Sequence, residues 1–198
     1  MKLYYVPYTR ASRPRWMLEE LGLPYELVRL DPKKGDNKGP DYLRVHPLGK
    51  VPALVDGEVT LFESAAIVLY LADKAGRLAP QAGSTLRAEY YQWILFGVTT
   101  LEPPLASVDA HTRSLPEEKR VARVAEEGRV TFAEAARAVE KRLEGRDWLL
   151  GEFSGADVLV GSVLWWARAT KLLGGHPILE AYVDRIKARP AWQRSRAD

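Results

Sequence analysis

Short alternating stretches and longer helical ones take turns through the first half of this chain. Residues 2–6 alternate apolar and polar as a strand does, 13–21 repeat at helical spacing, and 25–30 alternate again. A loop rich in Pro, Gly and Lys follows, then a short helix around 42–45. Two further strands, 51–55 and 58–62, flank Asp56-Gly57, a two-residue hairpin signal that makes them antiparallel neighbours. Residues 63–75 then form an amphipathic helix. The order is βαβαββα. Its first βαβ unit requires a parallel pair and its hairpin adds an antiparallel edge, so an α/β domain built on a mixed four-stranded sheet is expected.

Strand alternation stops beyond residue 76. Residues 77–85 read as a linker, small and polar with a Pro and a Gly, and the remainder reads as helices at 86–108, 116–143, 155–173 and 177–188. The expected division is therefore a domain at 1–76, the linker, and an all-α bundle at 86–198. Within the bundle, Ser154-Gly155-Ala156-Asp157 is a capping box, with Phe153 and Val158 placed as a hydrophobic staple. Its role is structural: losing either polar partner is expected to cost about 0.5–2 kcal/mol.

Composition narrows the chemistry. With 46% hydrophobic and 28% charged residues in 198, the chain is that of a globular protein, not a disordered one. The formal charge of +3 arises from 29 basic against 26 acidic residues, a near balance that gives no support to nucleic-acid binding. Cationic clusters at Arg10, Arg13 and Arg15 and from Arg185 to Arg196 remain, the second suiting a solvated last helix. Cysteine is absent, which removes a protein thiol nucleophile, so sulfur chemistry here requires a borrowed sulfur. The start of the chain reads directly as a strand, without the pattern of a signal peptide, and no apolar run is long enough to span a bilayer, so a cytoplasmic location with no membrane partner is expected.

Two neighbouring motifs carry the functional reading. In Gly49-Lys50-Val51-Pro52, the proline has no amide hydrogen for a sheet, so the peptide groups of Val51 are left open to a ligand. Glu63-Ser64 heads a helix, where unsatisfied N–H groups and partial positive charge suit a small carboxylate. Taken alone, the second pair also reads as a plain helix cap. Together the motifs describe a peptide-sized pocket.

This succession of motifs resembles the cytosolic glutathione S-transferase superfamily, over residues 1–192, with a bacterial-type or theta-like, serine/threonine-type active site. The resemblance implies a thioredoxin-like first domain, a cis bond before Pro52, and a helical half that walls the acceptor substrate. It implies that Val51 pairs with the cysteinyl backbone of glutathione, that Glu63 takes the γ-glutamyl ammonium and Ser64 its carboxylate, and that Lys50 lies near the glycyl end. Glutathione is then a co-substrate, no metal is needed, and a homodimer acting in detoxification is implied.

The group that activates the thiol lies, in such proteins, just after the first strand. Thr9 stands where serine-type classes carry their serine, and Arg10 where the bacterial cysteine-type class has its cysteine. Lowering a thiol pKa of about 8.5 by about two units needs roughly 2.7 kcal/mol of anion stabilisation. Thr9 is the first choice of donor and Ser12 the second, with Arg10 or Arg13 and the helix dipole as electrostatic help. Ser12 is equally readable as the N-cap of the first helix. The acceptor pocket draws on Tyr8, Phe96, Thr100 and Trp166; since adjacent helical positions point apart, one of Trp165 and Trp166 is expected in the core.

His46, His111 and His176 show no ligand spacing, and His46 reads as a turn or surface residue. The acid pairs Glu19-Glu20, Glu117-Glu118 and Glu126-Glu127 read as solvated faces. The leading expectation is a glutathione transferase whose bound thiolate attacks a small hydrophobic electrophile. A glutathione-dependent disulfide reductase, peroxidase or isomerase is the alternative, and a non-catalytic glutathione-fold binding module the third.

Overall fold

The alternation in the first half becomes a four-stranded sheet of order β2-β1-β3-β4 in a computed structural model that describes residues 1–197. Strand β1 (Lys2–Tyr5) runs parallel to β2 (Glu26–Arg29), and antiparallel to β3 (Ala53–Asp56), which is in turn antiparallel to β4 (Val59–Phe62). The helices of this part are α1 (Ser12–Leu21), α2 (Pro40–Val45) and α3 (Ser64–Ala75). Period-two geometry sends Leu3 and Tyr5 into the core with Leu54, where Trp16, Met17 and Leu18 of α1 and Ile67, Val68 and Leu71 of α3 are also buried. Tyr4 points to the other face and meets Tyr42 of α2 with ring centroids 5.1 Å apart. Helices α1 and α3 both stop at a glycine in the left-handed region, Gly22 and Gly76.

The hairpin is displaced by one residue from the expected Asp56-Gly57. Asp56 pairs with Val59, so the two-residue loop is Gly57-Glu58, with Gly57 at φ 60. The cause lies in the next helix: Tyr70 Oη donates to the Asp56 carboxylate at 2.7 Å and Lys74 Nζ lies 2.6 Å from it, which holds Asp56 in the strand.

The chain divides into two compact units, Met1–Ala79 with the segment from Lys187 onward, and Pro80–Ile186. Residues 187–197 thus leave the helical region to which the 86–198 division assigns them. A short helix absent from the expectation, α9 (Pro190–Arg194), returns to α1. Trp192 meets Trp16 edge-on at 4.7 Å, Arg189 forks onto Glu20 at 2.6 and 2.8 Å, and Arg194 donates to Glu19 at 2.8 Å. Glu19-Glu20 is therefore the receptor for the C-terminal arginines and not a solvated face.

In the second unit the expected 86–108 helix is α4 (Thr85–Leu95) and α5 (Glu102–Asp109), joined by a wide π-type turn, Phe96–Leu101. Pro103 and Pro104 have no N–H to continue an α ladder, and they occupy the first turn of α5, where none is required. A second π-type turn, Ala110–Ser114, follows. Helix α6 (Ala122–Leu143) begins later than the expected 116 because Val121 is extended. Helix α7 (Gly155–Ala169) is buried all round from Val158 to Leu164 and forms the centre of the unit, and α8 (Pro177–Lys187) carries the chain out of it. Among the described residues no helix is long and apolar enough to cross a membrane, and no group of acids and histidines is arranged to hold a metal ion.

Candidate functional site

The sheet register collects the candidate residues at one end of the first unit. Since β1 and β4 finish at the end where β3 begins, the β1–α1 connection, the residues before β3 and those after β4 emerge together. Ala53 pairs with Phe62, so Val51-Pro52 and Glu63-Ser64 lie just beyond the last rung of one hairpin. The expected cis bond is present between Val51 and Pro52. Val51 lies outside the ladder, and among the described residues neither its N–H nor its C=O has a backbone partner.

A dense set of hydrogen bonds holds this edge in place. Asn37 Nδ2 donates to the Gly49 carbonyl at 2.7 Å, Lys38 Nζ to that of Leu48 at 3.0 Å, and Tyr42 Oη to that of Lys50. Burial pushes the Tyr42 phenol far above its ordinary pKa, so it stays a donor. Gly49 is required: at φ 59 a Cβ would stand 2.2 Å from the Asn37 carbonyl oxygen. The Lys50 side chain is exposed. His46 is 4% exposed, so it is a buried turn residue and not a surface one; its Nδ1 accepts from Leu48 N–H at 3.3 Å. Burial lowers its pKa, an effect that Glu63 opposes and Lys50 reinforces, and this keeps the ring neutral and able to accept.

On the other side of the hairpin, Glu63 turns the chain from β4 into α3 at φ 73 and ψ 115. For a residue with a Cβ such a conformation costs about 1–3 kcal/mol, the kind of strain that collects at binding sites. Glu63 is exposed, Ser64 is buried, and no side chain caps α3, so the N–H groups of its first turn point outward unsatisfied. The acid at this helix end is Glu63 itself, at the N-cap position, and no further acid lies in the first turn. Ser64 Oγ accepts from Nη1 of Arg13 at 3.3 Å, and Arg13 is 3% exposed. Sequence reasoning placed Arg13 only as general electrostatic help; no local signal pairs it with a residue so far along the chain.

The β1–α1 connection departs from what a thiol donor needs. Thr9 Oγ1 donates to the Val6 carbonyl at 2.7 Å and accepts from Ala11 N–H. Ser12 Oγ donates to the Thr9 carbonyl at 2.9 Å. Both hydroxyl protons are committed to the backbone. Ser12 is not the N-cap either, because Ala11 occupies that position without a side-chain bond. Arg10 is exposed, and Tyr8 is 89% exposed at φ 59. Helix α1 carries no acid in its first turn, so its N-terminus is electropositive.

In the second unit, Phe96 and Thr100 lie on the wide turn, which packs against α7, the helix of Trp166. Phe96 meets Trp93 edge-on at 5.3 Å, Thr100 is exposed, and Trp166 Nε1 reaches Asp109 at 3.4 Å. Trp165 and Trp166 are both half-buried, so neither is the expected core residue. His111 Nδ1 accepts from Val121 N–H, and His176 is paired with Glu140 at 2.7 Å.

The chain that carries this site has counterparts among known proteins. The model of the glutathione S-transferase N-terminal domain matches residues 1–73, and that of the C-terminal domain residues 122–185. The chain belongs to the glutathione S-transferase family. Its relatives include the disulfide-bond oxidoreductase YfcG of Escherichia coli (strain K12), 34% identical, covering 96% of this chain and 91% of the relative. Glutathione S-transferase F10 of Arabidopsis thaliana is 31% identical over 98% of this chain and 94% of its own. A glutathione transferase family member from Pseudomonas fluorescens pf-5, solved with two glutathione bound, superposes with a TM-score of 0.90 at 29% identity, covering 98% of this chain and 91% of that one.

Proposed function

We propose that the chain binds glutathione at this end of the first unit and directs its thiolate at small hydrophobic electrophiles. The observation that carries the reading is the unpaired Val51 edge one ladder step from Glu63-Ser64. In this reading the Val51 peptide groups take the cysteinyl main chain as an added strand takes a sheet edge. Ser64 and the first N–H groups of α3 hold the γ-glutamyl carboxylate, Glu63 the ammonium, and Lys50 attracts the glycyl carboxylate. The bound sulfur then faces the β1–α1 connection. Its proton leaves to solvent, the thiolate lone pair forms a C–S bond, and the leaving group departs with the electron pair of the bond it breaks.

With the Thr9 and Ser12 protons given to carbonyls, the anion is stabilised first by the α1 N-terminus and by the Arg10 charge, and by Thr9 or Ser12 only after its hydroxyl turns. Tyr8, Phe96, Thr100 and Trp166 are the residues proposed to contact the acceptor. A homodimer working in the cytoplasm belongs to this reading, and elution at the monomer mass in gel filtration would remove the dimer.

A second reading is reduction of small disulfides. There two glutathione thiols are oxidised to glutathione disulfide as the substrate disulfide becomes two thiols, and the likeness to YfcG supports it. Parallel assays of aryl-halide conjugation and of small-disulfide reduction decide between the two. Calorimetric titration with glutathione tests both: binding is expected, and its absence at millimolar ligand overturns both in favour of a non-catalytic module.

A further inference from the structure

Arg13 and Ser64 are 3% and 6% exposed, and the bond between them joins the first turn of α1 to the start of α3. A guanidinium carries donors only, so Ser64 meets it as an acceptor. The Ser64 hydroxyl proton is thereby directed away from Arg13. Thr9 and Ser12 both donate to carbonyls three residues back, the ordinary fate of a hydroxyl near a helix start. Arg13 also places a permanent positive charge beside the Ser64 hydroxyl at the start of α3.

We propose that Arg13 is a positioning residue that orients the Ser64 hydroxyl as a donor and gives this helix start its selectivity for a carboxylate. The proposal rests on the glutathione reading above. Arg13 acts from behind, through Ser64 and through its field, and is not itself required to touch the ligand. Lysine supplies the charge without the planar fork and so replaces it only in part.

The test compares two ligands by calorimetry: glutathione, and the same tripeptide lacking the γ-glutamyl α-carboxylate. Wild type, Arg13→Gln, Arg13→Lys, Ser64→Ala and the Arg13→Gln/Ser64→Ala double variant are titrated, with thermal midpoints recorded. Arg13→Gln is expected to weaken glutathione roughly tenfold and the analogue less than about twofold, with Arg13→Lys in between. The double variant is expected to bind glutathione much more tightly than the product of the two single losses allows. Equal losses for both ligands, or strictly multiplicative losses in the double variant, overturn the role of Arg13 while leaving the glutathione site standing. If Arg13→Gln does not fold, the Arg13→Lys preference between the ligands decides, and a preference equal to wild type overturns the proposal. Failure of wild type to bind glutathione is a separate result, and it overturns the underlying reading.

Discussion

Two helices in this chain begin with a serine beside an acid, and they use the pair in opposite ways. At α7 the pair is turned inward. Ser154 caps the helix by accepting from Ala156 N–H, and the Asp157 carboxylate, fully buried, accepts from Leu149 N–H at 3.0 Å, Ser154 N–H at 2.9 Å and Tyr182 O–H at 2.8 Å. Burial pushes the Asp157 pKa up, and these donors oppose the shift. At α3 neither Glu63 nor Ser64 caps anything, and the first-turn N–H groups are left open. The same residue types therefore stabilise the fold where their bonds close on the protein and form a site where the bonds are left for something else.

The comparison breaks most visibly at its closed end. Asp157→Ala leaves the Leu149 and Ser154 amides and the Tyr182 hydroxyl without their acceptor and is expected to cost about 3–5 kcal/mol in urea denaturation, with glutathione affinity of the folded fraction unchanged. Gly49→Ala tests the scaffold of the open end. Its Cβ would collide with the Asn37 carbonyl, and a loss of about 1–3 kcal/mol is expected together with weaker glutathione binding, since the collision displaces the segment that presents Val51.

Exchanging the two serines sharpens the contrast. Ser154→Ala is expected to lower stability by about 1 kcal/mol without altering ligand affinity. Ser64→Ala is expected to lower glutathione affinity roughly tenfold while stability stays within about 0.5 kcal/mol. A stability loss at Ser64 matching that at Ser154 would show that the two helix starts do the same work.

The smallest expected effect is a pH dependence at the edge of the site. The folded-state pKa of His46 is depressed by burial, so between that value and the unfolded value near 6.5 the unfolded chain holds more protons. Its contribution is complete above the unfolded pKa and is lost as pH falls through that window. Denaturation midpoints at pH 7.5 and 5.5 are expected to differ less in His46→Asn, which keeps an acceptor for the Leu48 amide and cannot be protonated in this range. An unchanged pH slope in that variant removes His46 as the cause.

Much of this was readable along the chain because the relevant forces are local. The hairpin, the capping box, the proline ahead of β3 and the acid-serine start of α3 each depend on residues within a few positions of one another. The two clearest departures were of the other kind. Asp56 stays in its strand because Tyr70 and Lys74, a helix away, hold its carboxylate. Glu19-Glu20 meets arginines from the opposite end of the chain. The Thr9 and Ser12 hydroxyls, expected as donors to a thiol, donate here to carbonyls three residues back, a local competition that spacing alone does not rank.

By itself the sequence determined the βαβαββα order, the helical second half, the absence of any protein thiol, and the two dipeptides that remain unsatisfied at the end of one hairpin. Periodicity, proline chemistry and helix-end geometry act over a turn or a rung, and they leave a mark in every short window. Only the tertiary structure decided that Arg13 stands behind Ser64 and that the C-terminal segment closes on α1. Those outcomes depend on which groups burial forces together, and a buried donor takes whichever acceptor folding brings within reach, however distant in the chain.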